Sequence, residues 1–356
     1  MLILGIESSC DDTAAAVVDC SDKGAVALSS IVSSQDALHA RYGGVVPELA
    51  SRAHIETIIP VVESALEAAG VAIDDLDAMA VTEAPGLVGS LLVGMSFIKG
   101  ISLVNSLPFV GVNHILAHAH AAFLLDSNGD DDKNGGSQEE DSNTTEVPDF
   151  PFVALVVSGG HTTLMHMTDH GEYTVLGRTL DDAAGEAFDK TAKLLGLGYP
   201  GGRVIDSLAT EGNREAIRFP RALLSKESLD FSFSGVKTSV LTHIQKLKGG
   251  IDDATLRDIA ASFQEAVVEC LVTKALRAME SVNAATLVIA GGVACNSRLR
   301  EKAAKECERH SYDLYIPPPK YCSDNGAMIA ALGYHKLKKG ERAGFGLNAK
   351  PGLKDF

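Results

Sequence analysis

Two histidines four residues apart, His114 and His118 in H-I-L-A-H, carry the clearest chemical signal in the 356-residue chain. On a helix they share one face about one turn apart, the spacing at which two imidazoles reach one metal ion. The competing reading is of two polar residues on a helix packed near a cleft. Asp324, in Y-C-S-D-N-G-A, is the candidate third ligand, because a carboxylate completes a set of two histidines and one acid. Its alternative role is to cap the helix that follows. His120 faces another side of the helix from His118 and is set aside as a ligand. An H-E-x-x-H zinc peptidase needs Glu as general base at the position held by Ile115, so that chemistry lacks its base.

Glycine-rich turns form a second constellation. Ser158-Gly159-Gly160-His161-Thr162 follows an apolar run, Gly291-Gly292 follows another, and Tyr199-Pro200-Gly201-Gly202 is flanked by Asp189 and Asp206. Glycine lets backbone N–H groups approach an anion closely. Singly these are turns; together, two of them directly after strands, they point to a nucleotide-like ligand. Neither G-x-x-x-x-G-K-[ST] nor G-x-G-x-x-G occurs, which removes the P-loop and Rossmann sites. The turn E-S-S-C-D-D-T brings Ser9, Asp11 and Asp12 beside the first strand. Acidic groups there can orient a nucleophile, take a proton or hold a cation, or simply close a hairpin. Cys10, between carboxylates, is disfavoured as a nucleophile.

Alternating strand and helix patterns must position these groups, which predicts an α/β fold. Strands are expected at 2–7, 14–18, 79–81, 109–112 and 287–290. A helix starts at Pro47 and a second restarts at Pro60, ending before Gly70. Further helices are expected at 88–104, from the H-I-L-A-H motif to about Leu125, and from about Asn325, the last packing back on the first half. Leu256, Ile259, Phe263, Val267, Cys270 and Leu271 keep the spacing of a long core helix, and Asn296 caps the next. Residues 152–157, a G-G turn and 163–167 repeat the opening strand–turn–strand about 150 residues later. Two such halves predict a nucleotide-sized cleft between them. The expected division is 1–112 plus 325–356 against 113–324.

Bulk properties narrow the function classes. Lys and Arg number 31 against 47 Asp and Glu, a net charge of −16, which argues against coating nucleic acid by general basicity. Residues 126–146 hold eight acidic side chains, one Lys and no large apolar group, so this insertion is expected to be disordered. It carries −7 and leaves −9 for the rest. Basic residues gather late: Arg298, Arg300 and Lys302, then Lys336, Lys338, Lys339, Arg342, Lys350 and Lys354. They are candidates for local RNA contact, or else solvated helix faces. The opening M-L-I-L-G-I reads as a strand rather than a signal peptide, and the apolar stretch 86–98 is too short to span a bilayer. Six cysteines without C-x-x-C spacing read as reduced thiols, and the expected compartment is the cytoplasm.

Eight motifs in order (G-I-E-S-S-C-D-D-T, H-I-L-A-H, V-S-G-G-H-T, D-D-A-A-G-E-A-F-D-K, G-Y-P-G-G, F-S-F-S-G-V-K-T, A-G-G-V-A-C-N and S-D-N-G-A) closely resemble the bacterial tRNA threonylcarbamoyltransferase family TsaD, also called glycoprotease-like. The likeness spans nearly the whole chain apart from the acidic insertion. It implies an actin/Hsp70/sugar-kinase-like (ASKHA) fold with two RNase H-like halves around a nucleotide cleft. It also implies transfer of threonylcarbamoyl from threonylcarbamoyl-AMP to N6 of the adenosine 3′ of the anticodon, in tRNAs reading codons that begin with A. By motif, His114, His118 and Asp324 would hold one divalent ion, Fe2+ ahead of Zn2+. Val156, Val157, Ser158, Gly159, Gly160, Asp189, Gly202, Asp206 and Asn296 would line the adenylate pocket, and Asp11 would act near the acceptor amine. The implied partners are tRNA, a paralogous subunit forming a heterodimer, a small P-loop ATPase and a separate adenylate-making synthase. Val156 stands where archaeal and eukaryotic relatives carry Tyr, so no metal contact comes from that position. A metallopeptidase and an ATP-binding switch of the same fold are the alternatives. The resemblance gives the 126–146 insertion no role, and it is expected to project away from the active site. Deleting it should leave tRNA modification intact, measured by mass spectrometry of tRNA nucleosides; loss of activity would contradict this.

Overall fold

The computed structural model describes residues 1–125, 147–224, 227–247 and 250–352. The 126–146 insertion and Lys354 lie outside the described residues. The chain forms two compact units: Met1–Gln35, Pro47–Pro148 and Asp324–Phe356 make the first, and Asp36–Val46 with Asp149–Ser323 the second. The division expected from sequence differs, since the histidine helix belongs to the first unit and a short segment at 36–46 to the second.

In the first unit, β1 (Leu2–Glu7), β2 (Asp12–Ser21) and β3 (Gly24–Ser34) form an antiparallel meander. To it are added β4 (Ala78–Ala84), β5 (Phe109–Asn113) and β6 (Leu124–Leu125), giving the order β5-β4-β1-β2-β3-β6. Leu4, Ile6, Ala15 and Val17 point at Ile58, Val61 and Val62 of the Pro47–Ala69 helix and at Met95 and Ile98 of the Val88–Asn105 helix. The Gly326–Lys338 helix packs on β1, β2 and β4. It comes so close that a Cβ on Gly5 would sit 2.1 Å from the Gly326 carbonyl oxygen. Only glycine permits that approach.

Three expectations about this unit change. Pro60 does not divide the helix, which runs unbroken from Pro47 to Ala69. Pro60 and Glu56 both lie on its exposed face, so the carbonyl that loses its N–H partner can turn to water. The H-I-L-A-H helix ends at His120, because Leu124 and Leu125 pair in parallel with Ala25 and Val26 of β3. The helix expected at 88–104 forms as Val88–Asn105, but it is longer than the 86–98 apolar stretch judged too short, and by length and composition alone it is long and apolar enough to cross a membrane. It buries Leu91, Met95 and Ile98 in the core of this unit.

The second unit repeats the plan. An antiparallel meander of β7 (Phe152–Val157), β8 (Thr162–Asp169) and β9 (Glu172–Arg178) extends in parallel through β10 (Thr286–Ala290) and β11 (Asp313–Tyr315), in the order β11-β10-β7-β8-β9. Five strands of each sheet thus correspond one for one. The third strand of each meander is the part that the strand–turn–strand repeat did not reveal. The 30-residue helix Asp253–Val282 carries the largest buried stripe of this unit, including Ile259, Phe263, Val267 and Leu271.

Candidate metal centre and glycine-lined site

The metal candidate lies wholly in the first unit. Asn113, at the end of β5, caps the next helix by accepting from the Leu116 N–H at 3.0 Å. That cap turns His114 and His118 inward on one face, their rings edge to face with centroids 4.7 Å apart. Asp324 meets them from the start of the last helix: its Oδ1 lies 3.1 Å from His118 Nε2 and 3.7 Å from His114 Nε2. The capping alternative for Asp324 is settled by its neighbour, because the Asn325 side chain accepts from the Met328 N–H at 2.9 Å. The Asp324 carboxylate faces the histidines. One ligand atom from each of the three lies within 4.8 Å of the others. His118 is buried, its Nε2 faces Asp324 and its Nδ1 has no hydrogen-bond partner. Two imidazoles and a carboxylate, one imidazole with an unpartnered nitrogen, fit a divalent ion. His120 bonds back to the Leu116 carbonyl through Nδ1 (2.8 Å) and stays apart from the triad.

Sequence reading missed the residue that orients His114. Glu7 is fully buried at the end of β1, and its Oε2 lies 2.8 Å from His114 Nδ1. The same carboxylate accepts from the Thr82 hydroxyl at 2.7 Å and from the Ser9 N–H. With Nδ1 tied to Glu7, the Nε2 atom is the one that faces Asp324. Burial opposes charge on His114, but the Glu7 and Asp324 carboxylates outweigh it and raise His114 to about 9. Burial, aided by repulsion from His114, lowers His118. Glu7 stays below the usual carboxylate range because His114 overcomes its burial.

The E-S-S-C-D-D-T turn is pinned beside this triad. Ser9 Oγ lies 3.2 Å from His114 Nδ1, and its carbonyl accepts from the Leu87 N–H at 2.8 Å. His54, a second residue missed from sequence, is 2.7 Å from Thr13 Oγ1 and 3.0 Å from the Cys10 carbonyl. Asp11 therefore sits on a fixed turn rather than a loose hairpin. Burial, then the Asp11 and Asp324 carboxylates, pushes the Cys10 thiol far above its ordinary range.

The glycine turns gather in the second unit as a closed circuit of contacts. A Cβ on Gly185 would meet the Ser158 carbonyl oxygen at 2.6 Å, one on Gly201 would meet Asp189 Cα at 2.8 Å, and one on Gly291 would meet the Val157 oxygen at 2.4 Å. Asp189 accepts from the Gly201 N–H at 2.8 Å. Asp206 accepts from the Ser297 N–H (3.0 Å), the Ser297 hydroxyl (2.8 Å) and Asn296 Nδ2 (3.2 Å). By contrast, a Cβ on Gly159, Gly160, Gly202 or Gly292 would meet nothing within 4 Å, so the backbone there is open to a ligand. Val156 and Val157 are fully buried in β7. Asn296 caps its helix as expected, accepting from the Leu299 N–H at 2.9 Å, while its Nδ2 also bonds Gln264 at 2.9 Å.

Most of the late basic residues have internal partners. Lys338 pairs with Asp22, Lys336 with Glu341 at 3.2 Å and Lys350 with Glu83 at 3.3 Å. Glu265, beside Gln264, holds Arg298 at 2.6 Å and Lys302 at 2.8 Å. Burial would raise Glu265, but these cations outweigh it and hold the carboxyl at about 2, below its ordinary 4.5. Its stabilisation is therefore present above pH 4.5 and lost as pH falls towards 2. Glu265→Gln should cost about 3 kcal/mol at neutral pH by removing the carboxylate that pairs with Lys302 and one of the two, with Glu301, that hold Arg298. In thermal melts the gap to the unaltered chain should shrink on acidification; a gap independent of pH would contradict this.

Comparison with known proteins follows the same lines. The TsaD family profile, described as tRNA N6-adenosine threonylcarbamoyltransferase, matches residues 26–132 and 138–331. Proteins with that name are 50% identical over 349 residues in Syntrophus aciditrophicus (98% of this chain, 96% of that one) and 52% identical over 351 residues in Geotalea uraniireducens (99% and 96%). A third, from Clostridium perfringens, is 49% identical over 353 residues, covering 99% and 98%. Among solved structures, T. kodakarensis HypF superposes with a TM-score of 0.59 at 12% identity, covering 95% of this chain and 48% of that one. The activator of the 2-hydroxyisocaproyl-CoA dehydratase from Clostridium difficile, with bound ADPNP, gives 0.52 at 14% identity over 96% and 97%. These distant likenesses speak to fold alone, and with the two matching sheets they identify the ASKHA fold. A profile match over most of its length, and half identity to named transferases almost end to end, show that this chain is a transferase belonging to the tRNA N6-adenosine threonylcarbamoyltransferase family, TsaD.

Proposed function

We propose that the chain transfers threonylcarbamoyl from threonylcarbamoyl-AMP to N6 of the adenosine 3′ of the anticodon, in tRNAs reading codons that begin with A. The observation that carries this reading is the converging triad of His114, His118 and Asp324, present in a chain half identical to named transferases. The adenine amine attacks the carbamoyl carbon, the bond from that carbon to the phosphate oxygen breaks, and AMP leaves with the electron pair. Asp11, on its pinned turn, takes the proton released by the amine. In the second unit the open backbone of Gly159, Gly160 and Gly202 receives the adenylate, with Ser158, Asp189, Asp206 and Asn296 as its polar rim. Val156 and Val157 serve only as the strand beneath. A divalent ion held by His114, His118 and Asp324, Fe2+ ahead of Zn2+, would supply Lewis acidity.

The other partners follow from the same reading. A separate synthase makes the adenylate, and a small P-loop ATPase and a paralogous subunit complete the system in the cytoplasm, without a membrane. Support for the paralogous subunit comes from two i, i+4 apolar pairs exposed on adjacent helices, Ile55 with Ile59 and Val88 with Leu92. Because Lys336, Lys338 and Lys350 already pair with carboxylates, tRNA affinity should be salt-sensitive and shared with partners. The direct test supplies preformed threonylcarbamoyl-AMP and unmodified tRNA to the chain and its partners. One AMP released per modified adenosine is expected; AMP release without modified adenosine would overturn the reading.

A further inference from the structure

Among the six cysteines, two that lie 27 positions apart in sequence come together in the second unit. Cys295 is exposed at the end of the short Gly292–Cys295 turn, and Cys322 is fully buried at the end of the Pro319–Cys322 turn. The turn that carries Cys295 packs against the turn that carries Cys322. Backbone carbonyls of the second segment hold both: Cys295 Sγ lies 3.8 Å from the Pro319 carbonyl, and Cys322 Sγ donates to the Pro317 carbonyl at 3.2 Å. Arg300 ties the two segments together. Its Nε donates to the Ala294 carbonyl at 2.7 Å, and its Nη2 reaches the Pro317 carbonyl at 3.0 Å and Cys322 Sγ at 3.5 Å.

We propose that Cys295 and Cys322 form a peroxide-sensitive dithiol, a redox modification site in which exposed Cys295 is oxidised first and buried Cys322 resolves it into a disulfide. The Cys295 thiolate attacks a peroxide oxygen, the O–O bond breaks, and sulfenic acid forms with hydroxide as the leaving group. The Cys322 thiol then attacks that sulfur, the S–O bond breaks and water leaves, so peroxide is the two-electron oxidant of the pair. The environment suits these roles. Hydrogen bonding from the Cys322 thiol, with the Arg300 and Arg203 cations, outweighs burial and brings the Cys295 thiol down to about 6. Burial instead raises Cys20 to about 12 and Cys270 and Cys307 to about 11. A low thiol flanked by cations beside a resolving cysteine is the setting of redox-sensing pairs.

The pair also sits where its oxidation would be felt. Cys295 immediately precedes Asn296, which caps its helix and bonds Asp206 and Gln264. Drawing Cys295 towards Cys322 pulls on that turn, so oxidation should weaken AMP binding several-fold. The dithiol itself does not depend on the nucleotide reading, and the experiment keeps the two apart. The native full-length chain is treated with stoichiometric hydrogen peroxide and mapped by mass spectrometry. The expected result is a disulfide joining the Cys295 and Cys322 peptides and reversed by dithiothreitol. Before oxidation, Cys295 should alkylate roughly tenfold or more faster than Cys20, Cys270 and Cys307. Cys322→Ser should leave a sulfenic acid at Cys295 that dimedone traps. Cys295→Ser, at an exposed position, should abolish the disulfide without unfolding. A Cys295 that reacts no faster than the buried thiols, or peroxide products lacking this disulfide, would overturn the proposal. A disulfide that forms while AMP affinity stays unchanged would uphold the dithiol and count against the nucleotide role of Asn296.

Discussion

His118→Ala should remove bound metal and transferase activity together, with activity falling roughly 1,000-fold or more, beyond the ~10–100-fold typical of losing an outer partner of a metal ligand. The reason lies in what surrounds this ring. It is buried, its Nδ1 has no hydrogen-bond partner, and its Nε2 lies 3.1 Å from Asp324 Oδ1. Asp324 offsets that desolvation only in part, and an ion held by His114, His118 and Asp324 would offset more of it. His120→Ala, on the same helix but bonded back to the Leu116 carbonyl, should keep the metal. Metal content by inductively coupled plasma mass spectrometry, measured beside the rate of tRNA modification, checks both variants. Full metal content in His118→Ala would show that the ligand assignment is wrong.

The second large effect belongs to Glu7, which touches no substrate and acts through His114. Its carboxylate serves three donors: His114 Nδ1 at 2.8 Å, the Thr82 hydroxyl at 2.7 Å and the Ser9 N–H. Glutamine has the same shape but only one acceptor oxygen, so Glu7→Gln sets its amide N–H donors against one of these groups. The ring then loses the bond that keeps Nε2 turned to the site. Metal affinity should fall by about 10–100-fold, the usual effect of removing such a partner. Competition with a chromogenic chelator measures it apart from catalysis. Saturating metal should recover most of the activity, as a positioning role requires. Unchanged affinity in a folded Glu7→Gln chain would contradict that role.

The histidine pair was legible because helical spacing is a local property, and Asn296 and the paired glycines were legible for the same reason. Glu7 was not. It stands at the end of a strand whose partners, Thr82 and His114, lie 75 and 107 residues away, and only sheet pairing brings them together. His54 was hidden in the same way, inside an otherwise ordinary amphipathic helix. The Cys295–Cys322 pair escaped because cysteine arithmetic reads short spacings, not turns joined by Arg300. The role of Asp324 could not be separated from capping until Asn325 was seen to hold the cap. Of the fold, the duplicated strand–turn–strand motif was visible, but the third strand of each meander, Gly24–Ser34 and Glu172–Arg178, was not. Those strands mix buried and exposed positions and lack the continuous apolar runs that marked β1 and β7. Pro60 misled in the opposite direction, since a proline is tolerated where the freed carbonyl faces water.

One reconstitution tests the central claim most directly. The chain, unmodified tRNA, threonine, bicarbonate, ATP and the partner proteins are incubated together, and the tRNA is digested for nucleoside mass spectrometry. The account predicts threonylcarbamoyl-adenosine with the native chain and a loss of roughly 1,000-fold with His118→Ala. No threonylcarbamoyl-adenosine, in a mixture where a related transferase from this family produces it, would contradict the account.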